Sequence, residues 1–290
     1  MSENSTPVFI IGCPRTGSKI YLNAISNYTK INISPELHIL NPSWLHPDFV
    51  RTVKKQIGSL HSKEAKEKLL TFIEEERFYG SFWHMDRVNI SSLRSRLINN
   101  NWTVQEIFEK ILIEDAENDG RARIGAKFPV HFSRLDKLYE WFPDCKVLHI
   151  TRDPRAIYNS QLFKYYNRET NMLKKQALRA TILLYIIFIY KWDYRIHKKF
   201  SNNKNYILSK YEDVVLDFDT QMKKICNYIN VKFDSKMKSI PLKDSSFSEN
   251  KFNEGINTDS LDRFRSTLTT FEIKTIEFFC HKEMSARDYL

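Results

Sequence analysis

Short apolar runs alternate with longer amphipathic stretches along this chain. Val8 to Ile11 is continuously apolar and stops at Gly12. A run without polar alternation predicts a strand buried on both faces, as in a parallel sheet. Arg123 to Lys127, Lys146 to Ile150 and Tyr206 to Leu208 read as further short strands. Helical spacing of apolar residues falls between them. It predicts helices over Lys19–Tyr28, Lys63–Glu76, Thr103–Glu117, Ser133–Phe142, Met172–Phe200, Thr220–Ile229 and Thr269–Cys280. Thr103 with Glu106 three residues later has capping-box spacing, and Asp153-Pro154 opens a further helix with proline in the first turn. Strands alternating with helices imply an α/β fold, a parallel sheet flanked by helices on both faces. Residues 41–120 break the alternation and read as a helical insertion within a single domain spanning 1–290.

Composition narrows the class. The chain has 290 residues, of which 42% are hydrophobic, enough for a packed core and too many for a disordered chain. Its net charge of +10 favours anionic partners without choosing among them. Cys13, Cys145, Cys226 and Cys280 lie far apart, without metal-ligand or redox spacing, and read as reduced, buried thiols. Residues 1–7 carry no leader-like apolar segment. Ile182 to Tyr190, between Arg179 and Lys191, is too short to cross a bilayer and reads as part of a buried helix. The expectation is a cytoplasmic protein with no transmembrane segment.

Two motifs carry chemistry. Gly12 to Lys19 joins the first strand to the first helix as G-x-x-x-x-G-S-K. Backbone N–H groups in such a loop, with the positive end of a helix, form an anion site. This is a P-loop-type arrangement, but the final Ser18-Lys19 order reverses the Walker A pattern, and Arg15 stands inside the loop. The second motif follows the strand at Lys146–Ile150. Arg152 sits at its end and Ser160 eight residues later in the next helix, so a guanidinium fork and a hydroxyl can reach one phosphate.

Together these segments resemble the PAPS-dependent sulfotransferases, which use 3′-phosphoadenosine 5′-phosphosulfate (PAPS). Pro14-Arg15-Thr16-Gly17-Ser18-Lys19 is similar to the family's 5′-phosphosulfate loop, P-R-S-G-T-T. Arg152-Asp153-Pro154-Arg155 with Ser160 is similar to its 3′-phosphate motif, and Tyr211-Glu212-Asp213 to its Y-E-D mark. Lys127-Phe128-Pro129 looks like its K-x-P segment; Ser245-Ser246-Phe247 and Ser260 to Phe264 look like C-terminal segments. The likeness is greatest to the tyrosylprotein and bacterial branch, where a glutamate serves as general base; Glu36 falls in that place, with His38 as the competing base.

The resemblance implies a sulfuryl transfer from PAPS to a hydroxyl of a carbohydrate, a peptide tyrosine or a small alcohol. Glu36, Arg15 and Lys127 would be catalytic. Arg15, Thr16, Gly17, Ser18, Lys19, Arg152, Ser160, Tyr211, Ser245 and Ser246 would hold the donor. Lys19 departs from the family's usual threonine. Arg155 reads as an ion-pairing residue, and Glu212 with Asp213 as structural. No metal and no nucleic acid is expected. Within the insertion, Trp44, Phe78, Tyr79, Trp83, His84 and Arg87 are candidates for the acceptor wall. The alternatives are a P-loop kinase using ATP and magnesium, and a non-catalytic binding protein on the same fold.

Overall fold

The computed structural model describes residues 6–35, 50, 53–74, 88–166, 171–239 and 258–290. Its centre is a five-stranded sheet in which every neighbouring pair is parallel. The strands are β1 (Val8–Gly12), β2 (Ile31–Pro35), β3 (Arg123–Phe128), β4 (Lys146–Thr151) and β5 (Tyr206–Lys210), in the order β2-β3-β1-β4-β5. β1 is flanked by β3 on one side and β4 on the other, so the chain reverses direction across the sheet at β1. In open parallel sheets, ligands bind beyond the strand C-termini at such a point.

β2 was not among the expected strands. Its sequence, Ile31-Asn32-Ile33-Ser34-Pro35, alternates apolar and polar residues, and all but Pro35 are buried. The polar positions are satisfied inside: Asn32 Nδ2 donates to Asp115 Oδ2 at 2.7 Å, and the Ser34 hydroxyl donates to the same oxygen.

Before β3 the chain forms α1 (Ser18–Tyr28), α2 (Lys63–Glu74), α3 (Ile90–Ile98) and α4 (Val104–Asn118). α4 begins with the expected capping box: Glu106 N–H donates to the Thr103 hydroxyl and Thr103 N–H to the Glu106 carboxylate. After β3 come a 3₁₀ turn (Pro129–Arg134), α5 (Leu135–Trp141), then α6 (Pro154–Tyr165) and α7 (Met172–Phe200) after β4. The predicted Ser133–Phe142 helix is thus split, a 3₁₀ turn preceding a shorter α-helix. β5 leads into α8 (Tyr211–Leu216) and α9 (Phe218–Tyr228). The C-terminal region holds α10 (Asp259–Asp262), α11 (Phe264–Thr267), α12 (Thr270–Phe279) and α13 (His281–Ser285).

Strand alternation divides the core. Phe9, Ile11, Ala126, Phe128 and Val147 face one cluster, which α2 to α7 and α12 complete. Val8, Ile10, Ile33, Leu148 and Ile150 face the other, under α1, α8 and α9. Helices therefore cover both faces, as the pattern predicted. All four cysteines are buried and free.

Two polar clusters fix the elements around the sheet's C-terminal edge. Asp193 of α7 accepts from Arg287 at 2.8 Å and bonds His149 of β4 at 2.6 Å, with all three buried. Burial alone would push the Asp193 carboxyl up, but His149 and Arg287 hold it below the usual carboxylate range. In the second cluster, Glu272 of α12 accepts from Arg179 of α7 and from Tyr158 of α6, both at 2.5 Å. It ties the C-terminal helices to the helix that carries Ser160.

Candidate active site

The loop after β1 leaves the sheet through Gly12, whose φ is +145°. A Cβ there would lie 2.2 Å from the Ile150 carbonyl oxygen of β4, so no side chain fits. Arg15 and Gly17 both have positive φ, 73° and 81°. Such residues curl a loop so that successive N–H groups face inward, as in an anion-binding nest. α1 then starts at Ser18 with no capping side chain and no acid in its first turn. Its positive dipole end faces the loop, and the Ile20 N–H donates to the Gly17 carbonyl at 3.0 Å.

The side chains of the loop divide their work. Thr16 is buried and its hydroxyl donates to the Cys13 carbonyl at 2.9 Å. That hydroxyl holds the loop's shape. Ser18 and Lys19 lie on the first turn of α1, with Lys19 exposed. Arg15 Nε donates to Ser160 Oγ at 2.9 Å. This bond joins two motifs 145 residues apart.

Arg152 completes the cluster. Its Nη1 donates to the Arg15 carbonyl at 3.3 Å and its Nη2 to the Ser260 carbonyl at 2.7 Å. Its guanidinium lies over the Tyr211 ring, 4.2 Å from the centroid. The Tyr211 hydroxyl bonds Ser260 Oγ at 2.8 Å. The Tyr211 ring also fills the space beside Gly17, where a Cβ would lie 2.3 Å from a ring carbon. Tyr211 thus touches both phosphate motifs.

Lys127 is buried near the C-terminal end of β3, in register with Ile10 of β1 and Pro35 of β2. It therefore shares the α1 face of the sheet with Ile10. Glu36 follows Pro35 directly in the chain. Glu36, His38, Ser245, Ser246 and the aromatic residues Trp44, Phe78, Tyr79 and Trp83, with His84 and Arg87, lie outside the described residues.

The neighbouring motif residues are structural. Asp153 caps α6 and pairs with Arg155, whose guanidinium also reaches Glu277 at 2.5 Å and the Tyr289 carbonyl at 2.9 Å. Glu212 accepts from Asp153 N–H at 2.9 Å and from the Tyr289 hydroxyl at 2.8 Å, and burial pushes its carboxyl above the usual range. The C-terminal segment thereby buttresses the turn that presents Arg152. Ser260 is the residue whose place beside Arg152 motif reading did not bring out. Its only sequence signal was the resemblance of the segment from Ser260 to Phe264.

Gly17 supplies a test of this packing. Gly17→Ala should cost about 1–2 kcal/mol for the left-handed backbone alone, and its methyl would displace Tyr211. The expected result is a lower melting temperature and at least ~10-fold weaker binding of an adenosine bisphosphate, read by thermal melting and calorimetry. Unchanged binding would separate Tyr211 from the site.

A sequence profile described as the sulfotransferase family matches residues 7–235. No curated protein matches the chain. Among solved structures, the sulfotransferase domain from the curacin biosynthetic pathway superposes with a TM-score of 0.57 at 16% identity, covering 94% of this chain and 96% of that one. The sulfotransferase domain of the Synechococcus PCC 7002 olefin synthase gives 0.56 at 19%, covering 95% and 96%. Mouse sulfotransferase SULT7A1, complexed with PAP, gives 0.54 at 14%, covering 98% and 86%. At these identities the superpositions speak for the fold, whereas the profile spans most of the sequence and both phosphate motifs: the chain belongs to the sulfotransferase family.

Proposed function

We propose that this protein transfers a sulfuryl group from PAPS to a hydroxyl acceptor. The observation that carries the reading is the Arg15–Ser160 bond, which with Arg152 places two arginines and a hydroxyl around the loop after β1. Arg152 Nε adds to it, being buried with no hydrogen-bond partner among the described residues. A ligand with two separated phosphates suits this arrangement: one phosphate on the loop N–H groups and the α1 N-terminus, the other on Arg152 and Ser160. The structure of SULT7A1 with PAP supports the same donor class.

The donor supplies a sulfuryl group on a phosphate leaving group. Transfer forms a bond from the acceptor oxygen to sulfur and breaks the bond from sulfur to the phosphate oxygen. The acceptor proton goes to a base, and 3′,5′-adenosine bisphosphate leaves. Positioning and charge stabilisation dominate reactions of this type. Arg15 and Lys127 would offset charge on the sulfuryl and bridging oxygens, and Glu36 would take the proton. The reaction so written uses no metal. The acceptor is a carbohydrate, a peptide tyrosine or a small alcohol, bound against the 41–120 segment. Four free, buried thiols favour a cytoplasmic setting.

Calorimetric titration with 3′,5′-adenosine bisphosphate, beside ATP with magnesium, tests the donor. Tight bisphosphate binding with little response to ATP is expected. Preference for ATP with magnesium would turn the assignment to a kinase, and a folded protein that binds neither would leave the fold as a non-catalytic scaffold.

A further inference from the structure

Away from the donor site, α7, α12 and α13 form a face of unusual composition. Their exposed positions include large apolar side chains: Leu184 is 67% exposed, Phe271 75% and Phe278 78%. Phe279 and Phe188 are also more than half exposed. The Arg179–Glu272 pair and a 2.7 Å bond from Lys191 Nζ to the Phe279 carbonyl hold α7 and α12 side by side. The exposed apolar positions therefore lie on neighbouring helices, with Phe279 the point of contact between them.

The exposed charges that α7, α12 and α13 themselves carry are mostly of one sign, with Asp136 against Lys199 and Asp288 just beyond α13 as exposed acids at the margin. The sole acid of α7, Asp193, is buried against His149 and Arg287. Glu272 of α12 is buried against Arg179, Glu277 is paired with Arg155, and Glu283 of α13 is buried near Lys191. Exposed ionisable groups on the three helices are cationic: Lys174, Arg195, Lys198, Lys274 and Lys282 among them. Exposed aromatic and aliphatic side chains rimmed by lysine and arginine are the composition of interfacial helices. An apolar patch of this kind marks a contact surface.

We propose that this face docks on an anionic lipid bilayer, phenylalanines entering the headgroup boundary and lysines facing acidic headgroups. Charge complementarity selects the occupant. A second copy of this chain would bring two cationic rims together, whereas an acidic bilayer offers opposite charge and an apolar layer beneath it. The proposed contact is peripheral, made by exposed side chains of helices that are themselves packed on the sheet.

Co-sedimentation of the full chain with phosphatidylcholine vesicles, with and without ~30% phosphatidylserine, tests this at low and high salt. The expected result is partition onto the acidic vesicles, weakened at least ~10-fold by 0.5 M salt. Phe271→Ser with Phe278→Ser, and separately Lys274→Glu with Lys282→Glu, should each weaken it at least ~10-fold with melting and bisphosphate binding unchanged. These side chains are exposed, so the fold survives their replacement. No partition, or equal partition of wild type and both variants, overturns the proposal. So does a lipid-independent dimer that the phenylalanine substitutions dissolve, which would assign the face to a second copy.

Discussion

Arg152→Ala should bind 3′,5′-adenosine bisphosphate about 10- to 100-fold more weakly than the wild type. That range is the ~1.5–3 kcal/mol by which a hydrogen bond to a charged group exceeds solvation. The geometry explains why so much should rest on one residue. Arg152 leaves the end of β4 at the turn held by Asp153 and Glu212, and its guanidinium is stacked on Tyr211. Its two Nη atoms donate to the carbonyls of Arg15 and Ser260, one in each of the segments flanking the site. The fork is therefore oriented before any ligand arrives, and little side-chain entropy is left to lose on binding. Lysine lacks the planar fork and would not stack in the same way, so Arg152→Lys should recover only a small part of the loss. Calorimetry on both variants, with circular dichroism melts to show folding, measures the effect. Undiminished affinity in the alanine variant would place the second phosphate elsewhere and break the link between Arg152 and the donor.

Much of this arrangement could be read from the chain, for identifiable reasons. β1 is a continuous apolar run because both faces of the strand are covered, and α7 is legible from its length and its apolar stretch from Ile182 to Tyr190. The loop from Gly12 to Lys19 is legible because its glycines answer steric demands, from Ile150 at Gly12 and Tyr211 at Gly17.

What escaped reading depends on contacts distant in sequence. β2 carries Asn32 and Ser34 where an apolar run was the expected signal, and only Asp115, more than 80 residues on, makes those positions fit for burial. The Asp193–His149–Arg287 cluster likewise puts charge in the core through partners 44 and 94 residues apart. The Thr16 hydroxyl, in a residue expected to hold the donor, bonds the Cys13 carbonyl through the loop's curl, a contact the motif alone does not reveal. A motif names the residue types at a site; the local backbone decides which atoms face the ligand.

Glu36→Gln should lower kcat by ~10²–10⁴-fold, the usual contribution of a general base, while bisphosphate affinity stays within about twofold of wild type. Pro35, the last residue of β2, is paired with Lys127 of β3, and Glu36 is the next residue in the chain. Pro35 and Lys127 thus belong to the C-terminal edge of the sheet, and β3, which carries Lys127, is next to the strand that feeds the phosphate loop. A base that takes the acceptor proton acts in the transition state and not on the spent donor, so kcat and donor affinity should separate. The sign of the pH effect follows. A carboxylate base works only when deprotonated, so the wild-type rate should fall as the medium is acidified, and this acid limb should disappear in the glutamine variant. His38→Ala should leave both the rate and the acid limb close to wild type. If His38→Ala instead removes the acid limb and Glu36→Gln does not, the histidine is the base. If neither substitution changes kcat, proton removal is not carried by this segment, and the roles of Arg15 and Lys127 would have to be re-derived with a different base opposite them.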